Sequence, residues 1–357
     1  MGRNDPNTGR MIAEMLATSW RDVPEPPDIN AGDLTAIAPI LIRSGTGALG
    51  WWGIRDSHLA KSEAARELQL AYFNQKLLAD ERAADLKELF SLFAPAGITP
   101  ILHKGWAAAR VYPKTGLRPP GDIDLIVHPG QQQQAIELVN EFKDGQANID
   151  LAHHELNELS DRTLDDLFAR SRCVYLGKVP IRVLGPEDNL RLLSLHYIRH
   201  YGYRPLWLCD VAAAVESASA DFDWDLCLGR DSRQANWIKA AIMLSHKLLR
   251  ADLSTTPLVR ARVHLPSYLI AEILNSWAAG YRTNYELTPK IERKMFTYFY
   301  RPREIFRGLA DRWPSSLKVA VDYRQPINRL PRLPFFVKRL FPRMISFALR
   351  LPQQLRR

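Results

Sequence analysis

Between Gly121 and His128 the chain reads Asp122-Ile123-Asp124-Leu125-Ile126-Val127, two carboxylates two residues apart with an apolar run behind them. A run this short, closed by His128-Pro129-Gly130, reads as a strand. In a strand, residues i and i+2 face the same side, so Asp122 and Asp124 point together. Left unpaired, two such carboxylates repel and one tends to hold its proton. A divalent cation removes that conflict. Oxygen ligands on one face suit Mg2+ or Mn2+, particularly where phosphate oxygens complete the shell. A solvated strand start would carry the same spacing, so the flanking residues bear the weight of the choice.

Upstream, Ile98 to His103 is a short apolar and β-branched segment that reads as a buried strand, and Lys104-Gly105 is a sharp break. Trp106 to Tyr112 follows as a short helix, and Pro113 to Gly121 as a Pro/Gly-rich loop with Lys114 and Arg118. Each part has a use in handling phosphate. A glycine at a strand-to-helix turn lets backbone N–H groups approach an anion. Lys104 and Arg118 neutralise phosphate charge, the arginine bidentately. Alone, each is equally a turn glycine, a surface lysine or a loop arginine; together in one short window they point to a phosphate and metal site.

This window resembles the nucleotidyltransferase superfamily with the DNA polymerase β-like fold, and within it a bacterial nucleotidyltransferase family. The resemblance is carried by Leu102-His103-Lys104-Gly105, Tyr112-Pro113, Leu117-Arg118-Pro119 and Gly121 to Val127. A second block is similar too: Val183-Leu184-Gly185-Pro186-Glu187-Asp188-Asn189-Leu190, then His196 and Trp207-Leu208-Cys209-Asp210. The resemblance implies in-line transfer of a nucleoside monophosphate from an NTP, with Asp122 and Asp124 holding Mg2+ or Mn2+ and Lys104, Gly105 and Arg118 gripping the triphosphate. It also implies a third acid on the next strand. Asp150 fits best, Glu155 is a weaker option, and an empty position is the third alternative. One departure concerns the turn, where Trp106 follows Gly105 in place of the usual Ser or Gly.

The rest of the chain frames this core. Residues 1–30 are polar with a Pro-rich end and read as loose; 31–97 read as a helical N-terminal region. Residues 98–184 form the α/β core, with Ile149 to Ala152 as a third strand and a hairpin around Gly177-Lys178. Residues 185–289 read as helical, starting from Pro186 with acids in the first turn, and 290–357 as a basic, apolar tail. The expected class is therefore α/β (α+β), a small mixed-sheet core flanked by helical regions.

The net charge of +9 is uneven: residues 290–357 carry 17 Lys/Arg against 4 Asp/Glu, a net +13, which leaves −4 on the first 289. That balance makes a small molecule or a protein a better acceptor than RNA. The tail alternates cations with Phe335, Phe336, Leu340 and Phe341. It packs on the body, meets an anionic membrane peripherally, or contacts nucleic acid. No apolar run is long enough to span a bilayer, no secretory signal opens the chain, and Cys173, Cys209 and Cys227 lack metal spacing. The expected location is cytoplasmic, with membrane association at the inner face left open.

Other residues are weighed against plainer roles. His153-His154 with Glu155, and His196 with His200, lack a zinc-protease pattern. Asp210, after Tyr201, Tyr203 and Trp207, is either a buried structural acid or a contact to base or acceptor. Two rival functions remain. One is a metal-dependent glycosyltransferase, disfavoured because there the apolar strand precedes the Asp-x-Asp pair. The other is a catalytically weak nucleotide-binding adaptor.

Overall fold

The computed structural model describes residues 6–142, 148–152, 158–259, 263–280 and 315–328, with 333–335, 337, 338 and 341. Its helices are α1 (Pro6–Leu16), α2 (Ala31–Ser44), α3 (Gly47–Ile54), α4 (Glu63–Phe93), α5 (Gly105–Ala109), α6 (Gln132–Glu141), α7 (Leu164–Arg170), α8 (Pro186–Arg199), α9 (Pro205–Glu216), α10 (Trp224–Leu228), α11 (Ser232–Leu249), α12 (Ser267–Ala278) and α13 (Ser316–Asp322). The strands are β1 (Ile101–His103), β2 (Ile123–Ile126), β3 (Ile149–Ala152), β4 (Arg172–Leu176) and β5 (Val179–Val183). They form one mixed sheet in the order β3-β2-β1-β5-β4. β1 runs antiparallel to β2 and parallel to β5, β2 runs parallel to β3, and β4–β5 is the expected hairpin. The α+β class read from the sequence is what the chain adopts.

Alternation along the strands divides the sheet into two faces. Leu102, Ile123, Leu125, Ile181 and Val183 bury one face against Leu86, Leu89, Phe90 and Phe93 of α4 and Ala135 of α6. Ile101 and Ile126 point to the other face, where they meet Leu167 of α7 and Leu192 of α8. The same α4 reaches the helical body at its other end through Ala64, Ala65 and Leu68, so one helix ties the two cores together.

Local signals set several boundaries. Asn30 and Asp33 form a reciprocal capping box at the start of α2. The helical N-terminal region breaks at Gly45, which takes a left-handed φ of 80° and whose N–H bonds back to the carbonyls of Ile42 and Leu41. Ser62 caps α4 by accepting from the Ala65 N–H. Opposite the α7–α8 face, Asp188 is buried between Arg162 (3.3 Å) and Arg170 (3.0 Å). An acid expected only to favour a helix start thus joins α8 to α7.

The N-terminal segment departs from the sequence reading. Residues 1–30 are not uniformly loose: α1 occupies 6–16, and Ile12, Met15, Leu16 and Trp20 are buried in the helical body. The reason is a close helix crossing. A Cβ at Gly9 would lie 2.2 Å from the Leu274 carbonyl oxygen of α12. Most of the basic tail, and with it the membrane and nucleic-acid alternatives, lies outside the described residues, as do His153, His154 and Glu155.

Gly9→Val should therefore prise α1 from α12. Overpacking of this kind costs about 1–3 kcal/mol. Denaturant titration should show a lowered midpoint, with an unchanged midpoint contradicting the crossing.

Candidate active site

The strand register assembles the acidic site. In β2–β3, Asp124 is the Cα partner of Asp150; in β1–β2, it is the partner of His103. Asp124 lies on the face opposite Ile123 and Leu125, and Asp150 on the face opposite Ile149 and Leu151, so the two carboxylates share a side across strands about 4.8 Å apart. Asp122 stands just before β2, exposed, as is Asp150, while Asp124 is half-buried. Burial raises the pKa of Asp124, Lys104 opposes that, and the charges of Asp150 and Asp122 raise it further. The repulsion expected from the Asp-x-Asp spacing is present, and it includes Asp150.

The nearest cation is Lys104, whose Nζ lies 3.3 Å from Asp124 Oδ1. Its backbone is unusual for a residue with a Cβ, at φ 54° and ψ −143°. Gly105 follows at φ 30°, where a Cβ would sit 2.9 Å from the Asp122 carbonyl oxygen. This double turn folds the end of β1 against the start of β2 and keeps Lys104, Gly105 and Asp122 together. The helix it opens, α5, has only five residues.

Arg118 has a different place from the one read in the sequence. Its Nε and Nη2 donate to both carboxylate oxygens of Asp210 at 3.0 and 3.1 Å, and Nη1 donates to the Pro119 carbonyl at 3.1 Å. The Tyr112 hydroxyl lies 2.8 Å from the same carboxylate. All three side chains are buried. Burial works against the Arg118 charge, but Asp210 more than offsets it and its pKa ends raised. Burial, and then the Asp210 charge, push the Tyr112 phenol well above its ordinary range. The loop between α5 and β2 is thus bolted to α9, and Asp210 is the buried structural acid weighed in the sequence reading.

Above the acidic strands runs α8. Leu192 packs on Ile101 and Ile126, and His196 follows it one helical turn later. His196 is lowered to about 2, first by burial, then by His200, Lys104, Arg118 and His103. Its ring lies 4.4 Å from that of His200 and 4.5 Å from Trp207, and Tyr203 lies 5.2 Å from Trp207. His103 was read only as a strand residue. It is 1% exposed, and neither ring nitrogen has a hydrogen-bond partner among the described residues. Burial, reinforced by Lys104, holds it well below the usual histidine pKa, hence neutral. The sequence places His103 at the end of a buried strand but does not show that its ring nitrogens lack partners there.

Among the described residues, no three His, Cys, Asp or Glu side chains converge tightly enough to hold a metal by themselves. The described helices also include none long and apolar enough to cross a membrane.

Two stability outcomes follow from these contacts. Asp210→Ala leaves Arg118 buried and unpaired, which costs about 3–5 kcal/mol, whereas Tyr112→Phe costs about 1 kcal/mol; denaturant titration should separate the two. Asp124 has a raised folded pKa, so its contribution is most favourable below the ordinary carboxylate range and is lost as pH rises through the folded pKa. Asp124→Asn should raise the unfolding midpoint at neutral pH, with the gain shrinking in acid. A midpoint lowered at neutral pH would mean that the Lys104 pair outweighs burial and repulsion.

Comparison with curated proteins and with solved structures found no match to this chain. Comparison with family models did: the model of a family described as uncharacterised nucleotidyltransferase matches residues 31–248. That span includes the acidic strands, the Lys104-Gly105 turn and the α8–α9 cover. The chain belongs to this nucleotidyltransferase family.

Proposed function

We propose that this protein transfers a nucleoside monophosphate from an NTP to an acceptor hydroxyl, with Mg2+ or Mn2+ bound at Asp122, Asp124 and Asp150. The observation that carries this reading is the crowding at Asp124. Its carboxylate is half-buried, has Asp150 as its register partner on β3 and Asp122 two residues upstream, and bears a raised pKa. Two carboxylates side by side across β2 and β3, with a third two residues upstream, suit a hard cation whose shell other oxygens complete. The donor set fits as part of a shell that substrate phosphates complete. Within the protein, the Lys104 ammonium already stands against Asp124 as a partial counter-charge. When bound, a divalent ion would neutralise phosphate charge and lower the pKa of the acceptor hydroxyl.

The chain's own groups divide the remaining work. Lys104 swings from Asp124 to a phosphate oxygen as a mobile point charge. The Gly105 turn offers backbone N–H groups with no Cβ in the way. Arg118 acts at one remove, pinning through Asp210 the loop that delivers Asp122. Asp150, exposed, accepts the acceptor's proton. The acceptor oxygen bonds to the α-phosphorus as the α–β P–O bond breaks and pyrophosphate leaves. With −4 over the first 289 residues, a small molecule or a protein is the favoured acceptor.

Incubation of the protein with each α-labelled NTP, Mg2+ or Mn2+, and a cell extract should yield a labelled product. Asp122→Asn should lose the label by at least a hundredfold, about 3 kcal/mol in the barrier, while keeping the wild-type unfolding midpoint. Full activity in that variant would sink the assignment. Metal-dependent NTP binding with no labelled product from any extract would favour the adaptor reading.

A further inference from the structure

The acidic strands and the Lys104 turn account for the phosphate end of a nucleotide and leave its base unassigned. The α8–α9 corner faces the same space. His196 follows Leu192 by one helical turn, and Leu192 rests on Ile101 and Ile126, the strand residues just below His103 and Asp124. His196 is close enough to Lys104, Arg118 and His103 for each to lower its pKa, which puts it at the same end of the sheet as Lys104. Around it are gathered His200, Tyr203 and Trp207, with ring centroids 4.4 to 6.3 Å apart and the His196 and Trp207 rings edge to face. His196, Tyr203 and Trp207 are only half-buried and His200 is exposed, so the rings stand at the edge of the helical core, against which Trp207 packs, with the Arg204 guanidinium 5.5 Å from the Trp207 ring centroid.

We propose that His196, His200, Tyr203 and Trp207 form the wall that holds the nucleobase of the NTP, with Trp207 as its main stacking surface. The inference rests on the nucleotidyl-transfer reading above and extends it to the base. Three features favour a planar, polar ring as occupant. Aromatic faces bind bases by stacking, with little regard to their sequence of polar edges. The histidines bring no charge: His196 is held at about 2 by burial and its neighbours, and so is neutral at any working pH. Neutral rings present one donor and one acceptor each, the complement of a base edge. Finally, His103, near enough to His196 to lower its pKa, lies buried with both nitrogens unpartnered among the described residues. A buried polar group in that state calls for a partner, and a polar ligand entering between β1 and α8 supplies one.

The structural alternative is that the rings merely pack the corner between two helices. Calorimetric titration of the full chain, with Mg2+, against an NTP and against inorganic tripolyphosphate separates the two. Trp207→Ala should weaken NTP binding roughly tenfold or more while leaving tripolyphosphate unchanged, and Trp207→Phe should restore most of the loss. His200→Ala, at the exposed rim, should show a smaller loss of the same NTP-only kind and decides the matter if Trp207→Ala does not fold. The wall is overturned if these variants bind NTP as the wild type does, or if both ligands weaken by the same factor. Wild-type protein that binds both ligands equally also overturns it, leaving the phosphate site intact. Wild-type protein that binds neither overturns the transfer reading and the wall together.

Discussion

The structure turns on one crowded carboxylate. Asp124 sits in a short strand with Leu125 and Ile123 sunk in one core and Ile126 in another, so it has no freedom to move out of the sheet. Its neighbours are Asp150 on one side and His103 on the other. The sheet therefore forces together groups that repel or desolvate one another, and the cost appears as a raised Asp124 pKa. Folds do not keep such a conflict at a sheet end for stability. The proposed cation and polyanion site would give it a purpose, in the usual trade of stability against activity.

Two devices hold the conflict in place. The Lys104-Gly105 turn, left-handed at both residues, folds β1 back so that its own lysine reaches Asp124. The Tyr112–Asp210–Arg118 cluster clamps the following loop to α9, which sets where β2 begins. α8 then packs on the same sheet face through Leu192 and carries His196 one turn further on. Sheet, loop and helical cover thus depend on one another, and the family match spans all three.

Much of this was legible in the sequence where the signal is local. The third strand, Ile149–Ala152, is legible at those bounds because apolar Ile149 and Leu151 alternate with Asp150. The acidic pair, the Gly105 break and the proline start of α8 are likewise short-range chemistry. The interactions that decide roles are long-range. Arg118 and Asp210 are 92 residues apart, so nothing near Arg118 showed that its guanidinium is already paired. α1 escapes a local reading because its polar residues hide a buried stripe that packing on α12, α2, α3 and α11 explains. His103 reads as an ordinary strand residue, and only the fold shows its ring nitrogens buried without partners among the described residues.

The central claim is that Asp124 and its register partner Asp150 share one metal and nucleotide site. Mn2+ binding, followed by electron paramagnetic resonance with a non-hydrolysable NTP present, tests it directly. Wild-type protein should take up Mn2+ with the nucleotide, and Asp150→Asn should weaken that uptake by roughly tenfold or more, as expected when one oxygen ligand is withdrawn. Equal Mn2+ uptake by the wild type and by a chain carrying Asn at both Asp124 and Asp150 would contradict the account.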